Sequence, residues 1–137
     1  MNFFEMLVLV HFIADWIFQT QKHAMRKDKD LRVLLEHSAI YTIFFIPVLV
    51  FGLSTQLFSL FWILPLLFIS HAFLDNRKFE LWLFKKFKGI FIISGCPFYK
   101  IKDEPVPLDM GLFWLLFITI DQIFHIVVLA FVALMMR

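Results

Sequence analysis

Cysteine is almost absent from this chain. A single Cys96 in 137 residues excludes an intramolecular disulfide and any cysteine-rich zinc site. There is no G-x-S-x-G elbow, no H-E-x-x-H and no P-loop, so the short motifs that would name a reaction are missing. The charge excess is small, +2 from 13 basic and 11 acidic residues. The basic residues do not form a groove for nucleic acid. Five fall between Lys22 and Arg32, seven between Arg77 and Lys102, and the last is Arg137. They flank apolar runs, and none lies inside one. The N-terminus also lacks a basic region and a small-residue cleavage site, so the first apolar segment is expected to stay in the mature protein.

Apolar residues fill the space these absences leave. They make up 61% of the chain, with 20 Phe and a mean hydropathy of +0.84. Soluble domains sit near 45–50% apolar. The chain therefore reads as one all-α domain over 1–137, a polytopic membrane protein with four transmembrane helices. The spans are expected at about 2–20, 31–52, 57–75 and 109–136, long enough for the hydrocarbon core. Pro47 and Pro65 fall inside spans two and three, where membrane helices tolerate them. A turn is expected at Gly52–Gln56. Residues 79–93 mix Phe, Leu and Trp82 with Glu80, Lys85, Lys86 and Lys88, a pattern for an amphipathic helix lying at the interface. Ser94–Leu108, with Gly95, Pro97, Pro105 and Pro107, is expected to be a loop. The basic segments 21–32 and 77–102 should face the cytoplasm, and both termini the other side of a bacterial inner membrane.

Against this background the polar residues of the spans stand out. Span one carries His11-x-x-x-Asp15, span three His71-x-x-x-Asp75, and span four the reverse, Asp121-x-x-x-His125. Residues four apart share a helix face. Spans one and three run inward and span four runs outward. In all three, therefore, Asp lies nearer the cytoplasm and His about 6 Å deeper. His37 at the start of span two can join from the fourth helix. The seven residues His11, Asp15, His37, His71, Asp75, Asp121 and His125 are expected to converge.

Imidazole and carboxylate together suit a divalent metal, zinc first and manganese or iron next. Seven side chains exceed one tetrahedral ion. They fit two ions with a bridging Asp, or one ion with supporting carboxylates. With no Lys or Arg inside the spans beyond Arg32 at the edge of span two, either several Asp are protonated or a metal compensates them, and ligation favours deprotonated Asp with neutral His. Asp15, His37 and Asp121 are the candidates for catalytic roles. Gln19, Tyr41 and Gln122 are candidates to hydrogen-bond ligands or substrate, Gln19 because it continues the His11/Asp15 face and Tyr41 because it shares a face with His37. For Gln122, which is expected to point elsewhere on its helix, helix packing is the alternative. Arg77 and Lys78 could clamp a phosphate, or act only as topology signals. His23 in the basic loop is expected to be solvated. Glu36 should diverge from His37 by about 100°.

The series His11-x-x-Ala-Asp15-x-x-x-Gln19, His37-x-x-x-Tyr41, His71-x-x-Leu-Asp75 and Asp121-Gln122-x-x-His125 resembles a small bacterial membrane family known as a domain of unknown function. More distantly, the style of site is similar to that of membrane-bound metal-dependent hydrolases. The leading expectation is a hydrolase of a lipid or lipid-linked phosphoester or acyl substrate, using one or two metal ions and open to the cytoplasm. A metal-ion or proton transporter built on the same cluster is the alternative, and a non-catalytic membrane subunit a second. Membrane lipids, a lipid-linked or phosphorylated substrate and a second copy of the chain are the expected partners, and nucleic acid is not.

Overall fold

Six helices and a small sheet make up the computed structural model of the chain, which describes residues 1–52, 59–88, 90–93, 96–101, 104–107 and 109–136. Helix α1 spans Phe3–Phe12 and continues as a π-helical turn over Ile13–Ile17. Asn2 and Glu5 start it with a reciprocal capping box, which satisfies two backbone donors that a helix N-terminus otherwise leaves free. Thr20 caps the short α2, Gln21–Arg26. Asp30 accepts from the backbone of Arg32 at 2.9 Å and opens α3, Leu31–Gly52. Helix α4 covers Leu60–Asp75 and α5 covers Lys78–Lys88. Asp109 caps α6, Met110–Met135, through a 2.7 Å bond from the Leu112 backbone N–H.

Two of these helices, α3 and α6, are long and apolar enough to cross a membrane. Helix α4 is apolar but has 16 residues. The first expected span is shorter than 2–20, because the α-helix gives way to the π turn. Such single-turn π segments concentrate at functional sites, and this one holds Asp15. Beyond Gly52, the turn expected at Gly52–Gln56 and the start of span three lie outside the described residues.

The largest departure from the sequence reading follows α5. The amphipathic helix expected over 79–93 ends at Lys88, and Ile90–Ile93 is instead strand β1. β1 pairs antiparallel with β2, Cys96–Ile101, which pairs antiparallel with β3, Glu104–Pro107. Ile90, Ile92 and Ile93 are β-branched and favour a pleated backbone over a helix. Pro105 and Pro107 lie in the edge strand β3, where a missing N–H is tolerated. A meander therefore occupies much of the segment read as a loop.

Helix α1 packs on α3 and α6, and α4 packs on the same two, so the four close a ring. One half of the ring is filled by Leu7, Phe45, Leu49, Ile63, Leu67, Leu129 and Val132. The other half buries His11, Asp15, His37, His71, Asp75 and His125. The outside reverses the rule for proteins in water: Phe51, Phe61, Trp62, Leu115, Val127 and Phe131 are all exposed. An apolar exterior around an ionisable interior suits a solvent of lipid. A second small core, Phe84, Ile90, Phe113 and Phe117, fixes α5 and β1 against α6.

Candidate metal centre

Each wall of the ring contributes to one buried cluster. The π turn supplies Asp15, α3 supplies His37, and α4 supplies His71 and Asp75 one turn apart. His37 Nε2 lies 3.1 Å from both Asp15 Oδ1 and Asp75 Oδ2. His71 Nε2 lies 3.2 Å from Asp75 Oδ2 and 3.9 Å from Asp15 Oδ1. One donor atom from each of these four buried residues falls within 4.8 Å of the other three. For zinc bonds of about 2.0–2.1 Å, a tetrahedron has edges of about 3.3–3.4 Å, close to the spacing found. A second group, Asp75, Asp121 and His125, meets the same criterion and shares Asp75 with the first.

The hydrogen bonds around this cluster fix where the protons sit. His125 Nδ1 lies 3.0 Å from the Asp121 backbone carbonyl, which can only accept, so Nδ1 carries the proton. A His125 carrying that one ring proton accepts at Nε2, where His71 Nδ1 is 3.0 Å away. His71 must donate from Nδ1, which leaves its Nε2 a bare lone pair. That lone pair points at a carboxylate oxygen and has no hydrogen-bond partner, while the oxygen, Asp75 Oδ2, meets the Lys27 ammonium at 2.8 Å and His37 Nε2 at 3.1 Å. Two buried acceptors 3.2 Å apart repel unless a cation offsets them, and the Lys27 ammonium beside Asp75 Oδ2 or a metal ion between the two atoms can do so. Metal-bound histidines carry this same signature, with the second ring nitrogen donating to a fixed acceptor.

His11 is not brought among the donors, contrary to expectation. Its Nε2 is 2.9 Å from Gln122 Oε1, and its Nδ1 is 3.0 Å from the Tyr41 hydroxyl. The Gln122 amide nitrogen faces Asp121 at 3.1 Å and Asp15 at 3.5 Å, so its oxygen must face His11. His11 therefore donates from Nε2 and accepts the Tyr41 proton at Nδ1, with no lone pair free. Gln122 is a bridge inside the site rather than a packing residue. Tyr41 also stacks on His71, with ring centroids 3.6 Å apart. Tyr41→Phe should leave His11 Nδ1 unpaired and cost about 1–3 kcal/mol. Metal content should not change, and elemental analysis beside a melting curve checks both halves.

Three residues of the site escaped the sequence reading. Lys27, from the basic loop, is 7% exposed. Its ammonium sits 2.8 Å from Asp75 Oδ2 and 3.7 Å from Asp15 Oδ1. The carboxylates are thus not without a protein cation, although the four ring helices hold none beyond Arg32 in the first turn of α3. His23 is buried rather than solvated, its ring 5.3 Å from that of His37, and burial lowers its pKa. Glu80 is 0% exposed, with both oxygens unpartnered. Burial pushes its carboxyl up from 4.5 to about 7, with Asp121 and Asp75 adding to the rise. The folded, metal-free chain thus holds a proton there that the unfolded chain releases between those values. Its stability should fall as pH rises from 4.5 to about 7 and level off above. Glu80→Gln should flatten that slope in melts across the range.

The remaining candidates are placed less centrally. Gln19 Nε2 lies 3.3 Å from His37 Nε2. Arg77 approaches Asp28 at 3.9 Å, which ties α5's start to the α2–α3 turn, and Lys78 is exposed. Glu36 pairs with Lys22 at 2.5 Å and Arg32 at 3.4 Å, off the site.

A family model described as "Protein of unknown function (DUF3307)" matches residues 3–137. The chain belongs to this family. No curated protein and no solved structure matches it. In this DUF3307 chain the four quoted motif segments are the ones that line the site: His11, Asp15 and Gln19, then His37 and Tyr41, His71 and Asp75, and Asp121, Gln122 and His125. Lys27 and Glu80 enter from the segments between them.

Proposed function

We propose that this protein is a membrane-embedded, metal-dependent hydrolase of a lipid or lipid-linked phosphoester or acyl substrate, approached from the cytoplasmic face of a bacterial inner membrane. The observation that carries the reading is the His71 Nε2 lone pair facing Asp75 Oδ2, ringed by His37 and Asp15. Four passes by α1, α3, α4 and α6 agree with the apolar exterior of the ring. The basic residues of α2 and α5 lie at the end that holds the site, which suits a cytoplasmic mouth.

The two groups divide the work. Asp15, His37, His71 and Asp75 would saturate a tetrahedral ion such as zinc. In the second group Asp75 and Asp121 supply carboxylate donors and leave positions open, as catalytic sites do, while His125, whose two nitrogens meet the Asp121 carbonyl and His71, holds His71 in place. An ion there would lower the pKa of its water toward 7 and polarise the bond to be cleaved. Gln122 orients Asp121, and the Asp121 carbonyl fixes the tautomer of His125. His37 and Asp15 complete the first group and hold its geometry. Lys27 and the basic residues near the mouth would draw an anionic headgroup in.

A transporter would need a polar route to the far side. The other half of the ring is filled by Leu, Ile, Phe and Val, which favours an enzyme. Purified full chain should carry zinc or manganese and release phosphate or fatty acid from lipid substrates in mixed micelles. Ion-specific flux in proteoliposomes without hydrolysis would overturn the enzyme in favour of a carrier. Absence of metal after chelator-free purification and reloading would overturn the metal centre itself.

A further inference from the structure

Lys27 stands where a metal would need room. Its ammonium lies 2.8 Å from Asp75 Oδ2 and 3.7 Å from Asp15 Oδ1. His37 and His71 approach the same two oxygens. The chain's own cation and the four-donor group therefore overlap at their carboxylates. A divalent ion on these oxygens and an ammonium held by them are alternatives, because two cations on one carboxylate oxygen repel. The way out is short. Lys27 closes the C-terminal end of α2, and Arg26 and Lys29 beside it are exposed, so its flexible four-carbon stem can carry the ammonium to water. Among the described residues, α2 has few other ties to the cluster. His23 and Lys27, four apart, share its inward face and are buried, while Lys22, Met25 and Arg26 are exposed. His23 Nδ1 has no hydrogen-bond partner. Lys22 pairs with Glu36 on α3, but that pair is half-exposed, and surface pairs hold weakly. Arg77 comes no nearer than 3.9 Å to Asp28 in the following turn.

We propose that Lys27 is a latch that a divalent ion releases: the ion takes Asp75 and Asp15 from the ammonium, Lys27 turns out to water, and α2 loosens over the site. The inference rests on the metal-centre reading above and adds its regulation. Without metal, the buried carboxylates keep a cation and the mouth stays shut. With metal, α2 loses one of its two inward anchors, and the site opens toward the surface that carries Lys22, Arg26 and Lys29. The turned-out ammonium adds to that surface, where an anionic headgroup would arrive. A loaded centre is then an open one, and the metal-free chain excludes substrate.

The test uses the full chain in detergent, stripped of metal and then loaded with Zn(II). An amine-acylating reagent labels each form briefly, and peptide mass spectrometry reads the extent at Lys27 and at exposed Lys29. Elemental analysis reads bound zinc in the same samples. Without metal, Lys27 should label at least about tenfold more slowly than Lys29, as a buried and ion-paired amine. With zinc its rate should rise at least about tenfold while Lys29 stays unchanged, and hydrogen exchange at the amides of 24–27 should quicken. Zinc bound with Lys27 still protected, or with α2 exchange unchanged, overturns the latch and leaves the metal centre standing. A Lys27 that labels as fast as Lys29 without metal does the same. A rise that Lys29 shares is general loosening and also overturns it. A chain that binds no zinc removes the metal-centre reading, and the latch with it.

Discussion

Replacing Asp75 with asparagine should empty both metal groups at once and destabilise the bundle by about 3–5 kcal/mol. Asp75 is the hub of the cluster. One of its oxygens meets Lys27 at 2.8 Å, His37 at 3.1 Å and His71 at 3.2 Å, and it belongs to both donor groups. Asparagine keeps the size but supplies a neutral oxygen, so an ion loses a full charge of attraction. Lys27 is left in a buried position with only Asp15, at 3.7 Å, and an uncompensated buried charge is the costly outcome of breaking such a pair. Activity should drop by at least about 100-fold, beyond what loss of a supporting group produces. Asp121→Asn is the contrast: it should lose only the second ion and leave Lys27 paired. Elemental analysis and melting curves of the two variants separate these effects. Wild-type metal content in Asp75→Asn would sink the bridging role.

The convergence of Asp15, His37, His71, Asp75, Asp121 and His125 was legible because helical spacing is a local rule. His71 and Asp75 share a face whatever else the chain does. The reversed order of Asp121 and His125 follows from the reversed direction of α6. What spacing cannot show is who faces whom within a cluster. His11 lies on the expected face, but Gln122 and Tyr41 occupy both of its nitrogens. Lys27 looked like one of several topology charges, because a short basic loop carries no sign of which residue folds back into the ring. Glu80 looked like part of the polar side of an amphipathic helix, and its burial depends on α5 docking against α6 through Phe84. The sheet was hidden for a related reason. Pro105 and Pro107 argue for a loop one residue at a time, whereas strand pairing is a non-local property that their edge position in β3 makes compatible with proline.

Lys27→Met gives results of opposite sign according to what the ammonium does, and it is expected to bind metal more tightly than the wild type. The Lys27 ammonium lies within 2.8 Å of the same Asp75 oxygen that a metal would use. Two cations sharing one carboxylate repel by several kcal/mol even at an effective dielectric of about 20. Methionine keeps the reach and the apolar stem while removing the charge, so affinity for the divalent ion should rise by at least about tenfold. Without metal the same substitution leaves Asp15 and Asp75 buried with no fixed cation. The metal-free variant should then be less stable than metal-free wild type by about 3–5 kcal/mol, and adding Zn(II) should restore the loss. Thermal melts of both proteins with and without Zn(II) read all four states. If Lys27 were instead the resident counter-ion of a metal-free network, the variant would melt low, and no divalent ion would rescue it. That single pattern would replace the metal centre with a Lys–Asp–His network and move the function from hydrolysis toward proton transfer or packing.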